Sequence, residues 1–282
     1  MILVTGASGK TGLAVIAALA AKDQAVRAFV RREASADTVR RAGAREVVVG
    51  LMDDADALTQ AMRGARAVYH ICPNMSPHEF AYGEAVVDAA KRAGLRRFVY
   101  HSVLRPHIAA MPHHWEKARV EEMLFASGLQ VTVLQPSAYM QNILAAWPVI
   151  VREGVFRVPY PAATRLSLVD LGDVAEAAAV VLTQPGHDGA MYELVGTPGL
   201  SQTEVAAALG DVLGREVRAV AEAVGDWNAR AKASGLDDGA RETLIRMFDY
   251  YAAHGLVGNP NVLSWLLGRA PATLAAFAAR HL

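Results

Sequence analysis

The chain has one cysteine, Cys72, so no disulfide can close within it and a reducing compartment is expected. It has no excess charge of either sign: 28 Lys and Arg balance 28 Asp and Glu. No basic stripe points to nucleic acid, and no polybasic run points to a membrane surface. No apolar run reaches about 18 residues, so no transmembrane helix is expected. Strand-like residues begin at once, which leaves no room for a signal peptide and makes the cytoplasm the expected location. Low-complexity segments and repeats of solenoid period are both missing. There are nine histidines, but neither His113-His114 nor the stretch 101–107 shows zinc spacing with cysteine or acidic partners, so no metal site is expected. No G-x-S-x-G elbow is present, which argues against a serine hydrolase.

What is present starts at the first residue. Met1-Ile2-Leu3-Val4-Thr5 is a short apolar run, followed by Gly6-Ala7-Ser8-Gly9-Lys10-Thr11-Gly12 and then an amphipathic stretch over 13–21. Strand, glycine turn and helix in that order form a phosphate site. Glycines let the backbone approach a pyrophosphate, and the helix N-terminus offers N–H groups and partial positive charge. Gly6, Ser8, Gly9, Lys10, Thr11 and Gly12 are the candidate contacts. Such a turn also joins strands to helices where no ligand binds. Here a second strand over 25–30 follows at the spacing of a βαβ unit, which favours a dinucleotide.

That second strand ends in Arg31-Arg32, with no acidic residue at its tip. An Asp or Glu there binds the ribose hydroxyls of NAD, whereas an Arg pairs with the 2′-phosphate of NADP. The expected cofactor is therefore NADP(H), with Arg31 on the 2′-phosphate. Lys10 could add to that field; the alternative is that Arg31, Arg32 and Lys10 are solvated surface charges.

Apolar runs and amphipathic helices then alternate. Strands are predicted at 46–50, 67–71, 97–101 and 130–134, and helices at 54–62, 77–93 and 114–127. This rhythm predicts an α/β chain with a doubly wound parallel Rossmann sheet and ligands outside the C-terminal strand ends. It breaks near residue 145, where Pro148, Pro159 and Pro161 intervene. The expected division is a Rossmann domain over 1–147, with 166–184 returning to it, and a smaller C-terminal α+β lobe over 148–282 covering the substrate. Short strands at 155–159, 191–195 and 216–220 and helices at 202–213, 239–254 and 271–279 are assigned to that lobe. The chain's 282 residues and 53 % hydrophobic content suffice for such an arrangement.

Several motifs carry a family resemblance: the opening Val4-Thr5-Gly6-Ala7-Ser8-Gly9-Lys10-Thr11-Gly12, Val30-Arg31, Tyr100-His101-Ser102, and His113-x-x-x-Lys117. With them stand Ser127-Gly128-Leu129, Gln141-Asn142, the run from Val169 to Ala175, and Leu267-Gly268-Arg269-Ala270-Pro271. Together they resemble the NmrA-like group of atypical short-chain dehydrogenases, nearly end to end. The resemblance implies a Rossmann fold and NADP(H). It also implies one of two activities: flavin-independent reduction of quinones, azo dyes, triarylmethane dyes or isoflavone-like compounds, or cofactor binding by a redox-sensing regulator that does no chemistry.

Short-chain dehydrogenases use a Tyr four residues before a Lys, the Tyr as acid and the Lys on the nicotinamide ribose. Here Lys117 is in place, but His113 occupies the Tyr position, on the same helix face. Lys117 is the expected ribose contact, the alternative being one exposed helix lysine among many. His113 is a candidate proton donor near neutral pH, or merely part of a helix start. Ser102, just past a strand end, either faces substrate or caps local backbone. Met52, after the third strand, is an adenine bed or core packing. Cys72 and Pro73 follow the fourth strand, where the cofactor passes, although a buried, inert Cys72 is the better reading. Pro136 and Tyr139 lie on the loop expected beside the nicotinamide. Trp147, Phe156 and Tyr160 either line a pocket for a flat aromatic substrate or pack the core. The missing Tyr-x-x-x-Lys dyad counts against a sugar-nucleotide epimerase. The leading expectation is an NADPH-dependent reductase of electron-poor aromatic acceptors, with the non-catalytic NADP(H) sensor as the alternative.

Overall fold

A computed structural model describes residues 1–282. In chain order the first part contains β1 (Ile2–Val4), α1 (Lys10–Ala20), β2 (Val26–Val30), α2 (Ala36–Arg41), β3 (Glu46–Val49), α3 (Ala55–Met62), β4 (Ala67–His70), α4 (Glu79–Arg92), β5 (Arg97–His101), α5 (Pro112–Phe125) and β6 (Gln130–Pro136). Then come β7 (Ala138–Tyr139), α6 (Trp147–Glu153), β8 (Val155–Val158), β9 (Arg165–Leu166), β10 (Leu168–Val169), α7 (Leu171–Thr183), β11 (Met191–Leu194), β12 (Leu200–Ser201), α8 (Gln202–Leu213), β13 (Arg218–Ala221), α9 (Val224–Ala233), α10 (Asp238–His254), α11 (Asn261–Leu267) and α12 (Leu274–Ala279). No helix is long and apolar enough to cross a membrane.

The first compact unit comprises 1–107, 113–135 and 174–192. Its sheet runs β11-β6-β5-β4-β1-β2-β3, and the pairs from β3 through β6 are parallel. The chain winds outward from β1 to β3, then crosses over to β4 and winds the other way. The switch point therefore lies between β1 and β4, where the crevice outside the strand ends takes ligands. Ile2, Leu3 and Val4 are all fully buried, as expected of a central parallel strand covered on both faces. Asp54 caps α3 by accepting from the N–H groups of Asp56 and Ala57.

The second unit comprises 108–112, 136–173 and 193–282. Its core gathers Met140, Ile143, Ile150, Phe156, Val158, Val205, Leu209 and Phe277. β13 pairs in parallel with β8, and β12 pairs antiparallel with β9. Ser201 and Glu204 form a capping box at the start of α8.

Three sequence expectations change. The strand at 191–195, assigned to the lobe, is β11 on the edge of the main sheet beside β6. It is brought there by bonds such as Val133 N–H to Ala190 O at 2.9 Å. The units divide after Gln135 rather than 147, because β7 pairs with β10 within the second unit. The returning segment is 174–192 rather than 166–184.

Candidate functional site

The glycine turn lies at the switch point. Past β1, the Thr5 N–H donates to Tyr69 O at 3.0 Å, and Thr5 Oγ1 accepts from the Ile71 N–H at 3.1 Å. Gly6 has φ +57°, and a Cβ there would lie 2.6 Å from the Ile71 carbonyl oxygen, so only glycine fits. A Cβ on Gly12 would lie 2.4 Å from Gly6 O, which is how closely α1 packs on the turn. The turn closes with Gly9 N–H to Gly6 O at 3.0 Å. α1 has no side-chain cap at Gly9 and no acidic residue in its first turn. Ser8, Gly9 and Lys10 are exposed and Thr11 is buried. An uncapped, eleven-residue helix with this cradle suits a pyrophosphate.

Arg31 and Arg32, past β2, are exposed. Neither they nor Lys10 has an ion-pair partner within the protein, so their charge is available to a phosphate. The residues present thus fit NADP(H). Met52 is half-buried against the core of the first unit, in line with the packing alternative, while its neighbour Leu51 is 51 % exposed. Cys72 is buried, and burial, followed by the Glu79 charge, pushes its thiol far above the ordinary range. It is a protonated, unreactive thiol. Pro73, next to it, is exposed.

Lys117 holds a position that its helical spacing alone does not reveal. Its Nζ donates to Glu79 Oε1 at 2.9 Å and to His101 O at 3.3 Å. Glu79 Oε1 also accepts from the Tyr100 hydroxyl at 2.7 Å. Burial raises the Glu79 pKa, but the Lys117 charge and hydrogen bonds from Lys117 and Tyr100 outweigh it, so the carboxyl lies below its ordinary range. Tyr100 stacks on His70, ring centroids 5.9 Å apart, and His70 Nδ1 lies 2.9 Å from Thr5 Oγ1. Residues at the ends of β1, β4 and β5 thereby join one buried polar chain ending at Lys117.

The structure bears on two further candidates, Ser102 and His113, the latter in the first turn of α5 as its helix-start alternative has it. Ser102 is buried, and its hydroxyl donates to Glu121, which also accepts from Gln135 Nε2 at 3.0 Å. Its hydroxyl is thus committed to a buried carboxylate rather than to a backbone cap. His113 is half-buried, with Nδ1 lacking a partner. Burial, then the charges of His114 and Lys117, lower its pKa to about 3. The ring is neutral at pH 7, so it offers no imidazolium proton.

In the second unit, Pro136 is buried at the end of β6, and Tyr139 is half-buried on β7 opposite Val169. Phe156 belongs to that unit's core, and Trp147 and Tyr160 pack against it. Tyr160 also contacts Phe248 and Tyr251, with centroids 6.0 Å away in each case. Core packing accounts for all three aromatic side chains.

Glu79, His70 and Glu121 are the polar residues that sequence reasoning did not single out for this region, and Thr5 and Tyr100 entered only within motifs, with no role of their own. A signal for Glu79 existed. With Gly83, Val86, Val87 and Ala90 it falls on the buried stripe of α4, at i, i+4, i+7, i+8 and i+11. Glu121 shares the stripe of α5 with Val120 and Leu124. A carboxylate in register with an apolar face is a charge that needs a buried partner.

The family model described as the NmrA-like family matches residues 1–277. Quinone oxidoreductase 2 of Escherichia coli (strain K12) is 31 % identical over 277 residues, covering 98 % of this chain and 96 % of the relative. An NAD(P)H azoreductase of Xenophilus azovorans is 29 % identical over 283 residues, covering 100 % and 98 %. The solved structure of an NADPH-dependent quinone oxidoreductase from Escherichia coli in complex with NADPH superposes with a TM-score of 0.87. Its identity is 30 %, and the match covers 100 % of this chain and 99 % of that one.

Proposed function

The chain belongs to the NmrA-like family, and from that premise we propose that it is a flavin-independent reductase passing hydride from NADPH to an electron-poor conjugated aromatic acceptor. It is an NAD(P)H-dependent oxidoreductase, and the acceptor class is a quinone, an azo dye or a triarylmethane-type compound. The glycine turn from Gly6 to Gly12 and the first turn of α1 hold the pyrophosphate. Arg31 takes the 2′-phosphate, with Lys10 adding to the positive field. Lys117 directs its remaining N–H to the nicotinamide ribose. Bound NADPH supplies the hydride.

The observation that carries the acceptor class is that none of the three candidate proton donors, His113, Ser102 and Tyr100, is free to give up a proton beside Lys117. His113 is held neutral, Ser102 is committed to Glu121, and Tyr100 is fully buried with its hydroxyl donating to Glu79. An acceptor whose reduced form is already a stabilised anion or leuco compound takes hydride without acid help and collects its proton from water. A plain ketone needs the acid at the hydride step. Orientation and charge are then the protein's contribution.

The test is steady-state oxidation of NADPH and of NADH by the purified chain without added flavin, across quinones, azo dyes and triarylmethane dyes, with Arg31→Ala and Lys117→Ala as controls. Turnover that prefers NADPH and weakens in both variants is the expected result. The same missing acid favours a second reading, a regulatory NADP(H)-binding protein. Tight NADP(H) binding with no turnover on any acceptor would replace the first reading by that one.

A further inference from the structure

We propose that Glu79 is the positioning residue of Lys117, setting the direction of the one lysine N–H left for the cofactor; this rests on the reading that Lys117 binds the nicotinamide ribose. A lysine ammonium has three donors on a flexible four-carbon stem. Here two are taken, by Glu79 Oε1 at 2.9 Å and by His101 O at 3.3 Å. With two of three bonds fixed, the third points one way. The anchor is itself anchored. Tyr100 on β5 donates to the same Glu79 oxygen at 2.7 Å, and stacks on His70 of β4. His70 in turn meets Thr5, the residue between β1 and Gly6, at 2.9 Å. β1, β4 and β5 are neighbours in one parallel sheet. The ammonium is thus registered, through buried groups on rigid strands, to the sheet edge that carries the glycine turn. Glu79 touches neither cofactor nor acceptor in this account and acts only through Lys117.

The experiment is a double-mutant cycle on NADPH affinity, with wild type, Glu79→Gln, Lys117→Met and the double variant titrated with NADPH by fluorescence. Circular dichroism confirms that each is folded. Glu79→Gln is expected to weaken NADPH binding about tenfold, as loss of a charge-assisted bond does. In the Lys117→Met background the same change is expected to alter the affinity less than about twofold, because nothing remains to be positioned. Steady-state kinetics of Glu79→Gln should raise KM for NADPH and leave KM for the acceptor unchanged. Equal losses in both backgrounds, or a loss confined to kcat and the acceptor KM, would overturn the proposal and leave Glu79 a scaffold residue. An unchanged affinity in Lys117→Met would overturn it while leaving the NADPH reading intact. No binding of NADPH by the wild type would overturn both.

Discussion

Lys117 Nζ lies 2.9 Å from Glu79 Oε1, with 15 % of the lysine side chain and 5 % of the glutamate side chain exposed. The pair is shielded from water, so its two halves are not equivalent to surface charges. Removing the lysine strands a buried carboxylate, whereas removing both charges leaves a neutral pocket. Lys117→Met is therefore expected to cost about 3 kcal/mol of stability. The Glu79→Gln/Lys117→Met double variant should recover part of it. Urea unfolding of the two proteins compares them directly, and a double variant less stable than Lys117→Met would contradict the assignment.

The glycine turn, the run of parallel strands and the Arg31 tip were legible because each depends on local chemistry: backbone conformation, periodicity, charge at a strand end. The surroundings of Ser102 and His113 are not legible in the sequence, because they are set by packing and by neighbours far away in sequence, although the helix start at His113 is local. Ser102 meets Glu121 across 19 residues, and His113 is neutralised by burial that no spacing rule reports. The sheet position of β11 is illegible in the sequence for a similar reason. Four residues with mixed polarity carry little strand signal, and only the edge of β6 decides where they pair.

Arg31 stands exposed at the end of β2 with no ion-pair partner. A bond between a guanidinium and a phosphate is charge-assisted, and its loss affects only the cofactor that carries the 2′-phosphate. Arg31→Ala should lower kcat/KM for NADPH by about tenfold to a hundredfold while changing that for NADH little. The ratio of the two specificity constants measures this. A proportional fall for both cofactors would remove Arg31 from the phosphate.

Gly12 tests the fit of helix and turn. Its Cβ would lie 2.4 Å from Gly6 O and 2.7 Å from Ala7 Cα, both backbone atoms that cannot swing aside. Gly12→Ala is expected to push α1 off the turn at a cost of about 2 kcal/mol. It should also abolish NADPH binding, since the helix N–H groups move with the helix. Thermal unfolding with and without NADPH reads both effects. A variant that still gains stability from NADPH would show that the close packing is dispensable for binding.

Burial of neutral histidines gives the stability a pH slope. Burial, partly opposed by the Glu79 charge, lowers the pKa of His70 to about 4. Burial, then Lys117 and His70, lowers that of His101 to about 3. In the unfolded chain both titrate near the ordinary histidine value of 6.5. Below that pH the unfolded state takes up protons that the folded state refuses, so stability falls as the solution is acidified, until the folded pKa values are reached. At pH 5 the loss relative to pH 8 should be about 2 kcal/mol for each of the two rings. Urea midpoints across this range give the slope, and His70→Gln should flatten it by about half of their joint contribution. An unchanged slope in that variant would mean that His70 is not held neutral.

The run Val169–Ala175 belongs to the family resemblance, and in the structure two of its carboxylates do structural work within the second unit. Asp170 accepts from Gln141 Nε2 at 2.9 Å and the Gly172 N–H at 2.8 Å, and it pairs with Arg280. Asp173 accepts from Arg269 at 2.7 Å and from the Ala272 N–H at 2.6 Å. Both side chains are nearly buried, at 4 % exposure, whereas the arginines are about half exposed. The carboxylates therefore fix the C-terminal stretch, because losing Asp173 leaves the Ala272 N–H without its acceptor just ahead of α12. That helix contributes Leu274, Phe277 and Ala278 to the core that contains Val205 and Leu209 of α8. Asp173→Ala should cost about 1–3 kcal/mol. Amide exchange should speed up over 271–282 before it does elsewhere, as expected of a segment released from one end. Asp173→Asn keeps an acceptor for one partner but turns an amide N–H₂ toward the other, so it should fall between alanine and wild type. Exchange that accelerates uniformly across the chain would mean that the carboxylate supports the whole fold rather than this terminal stretch.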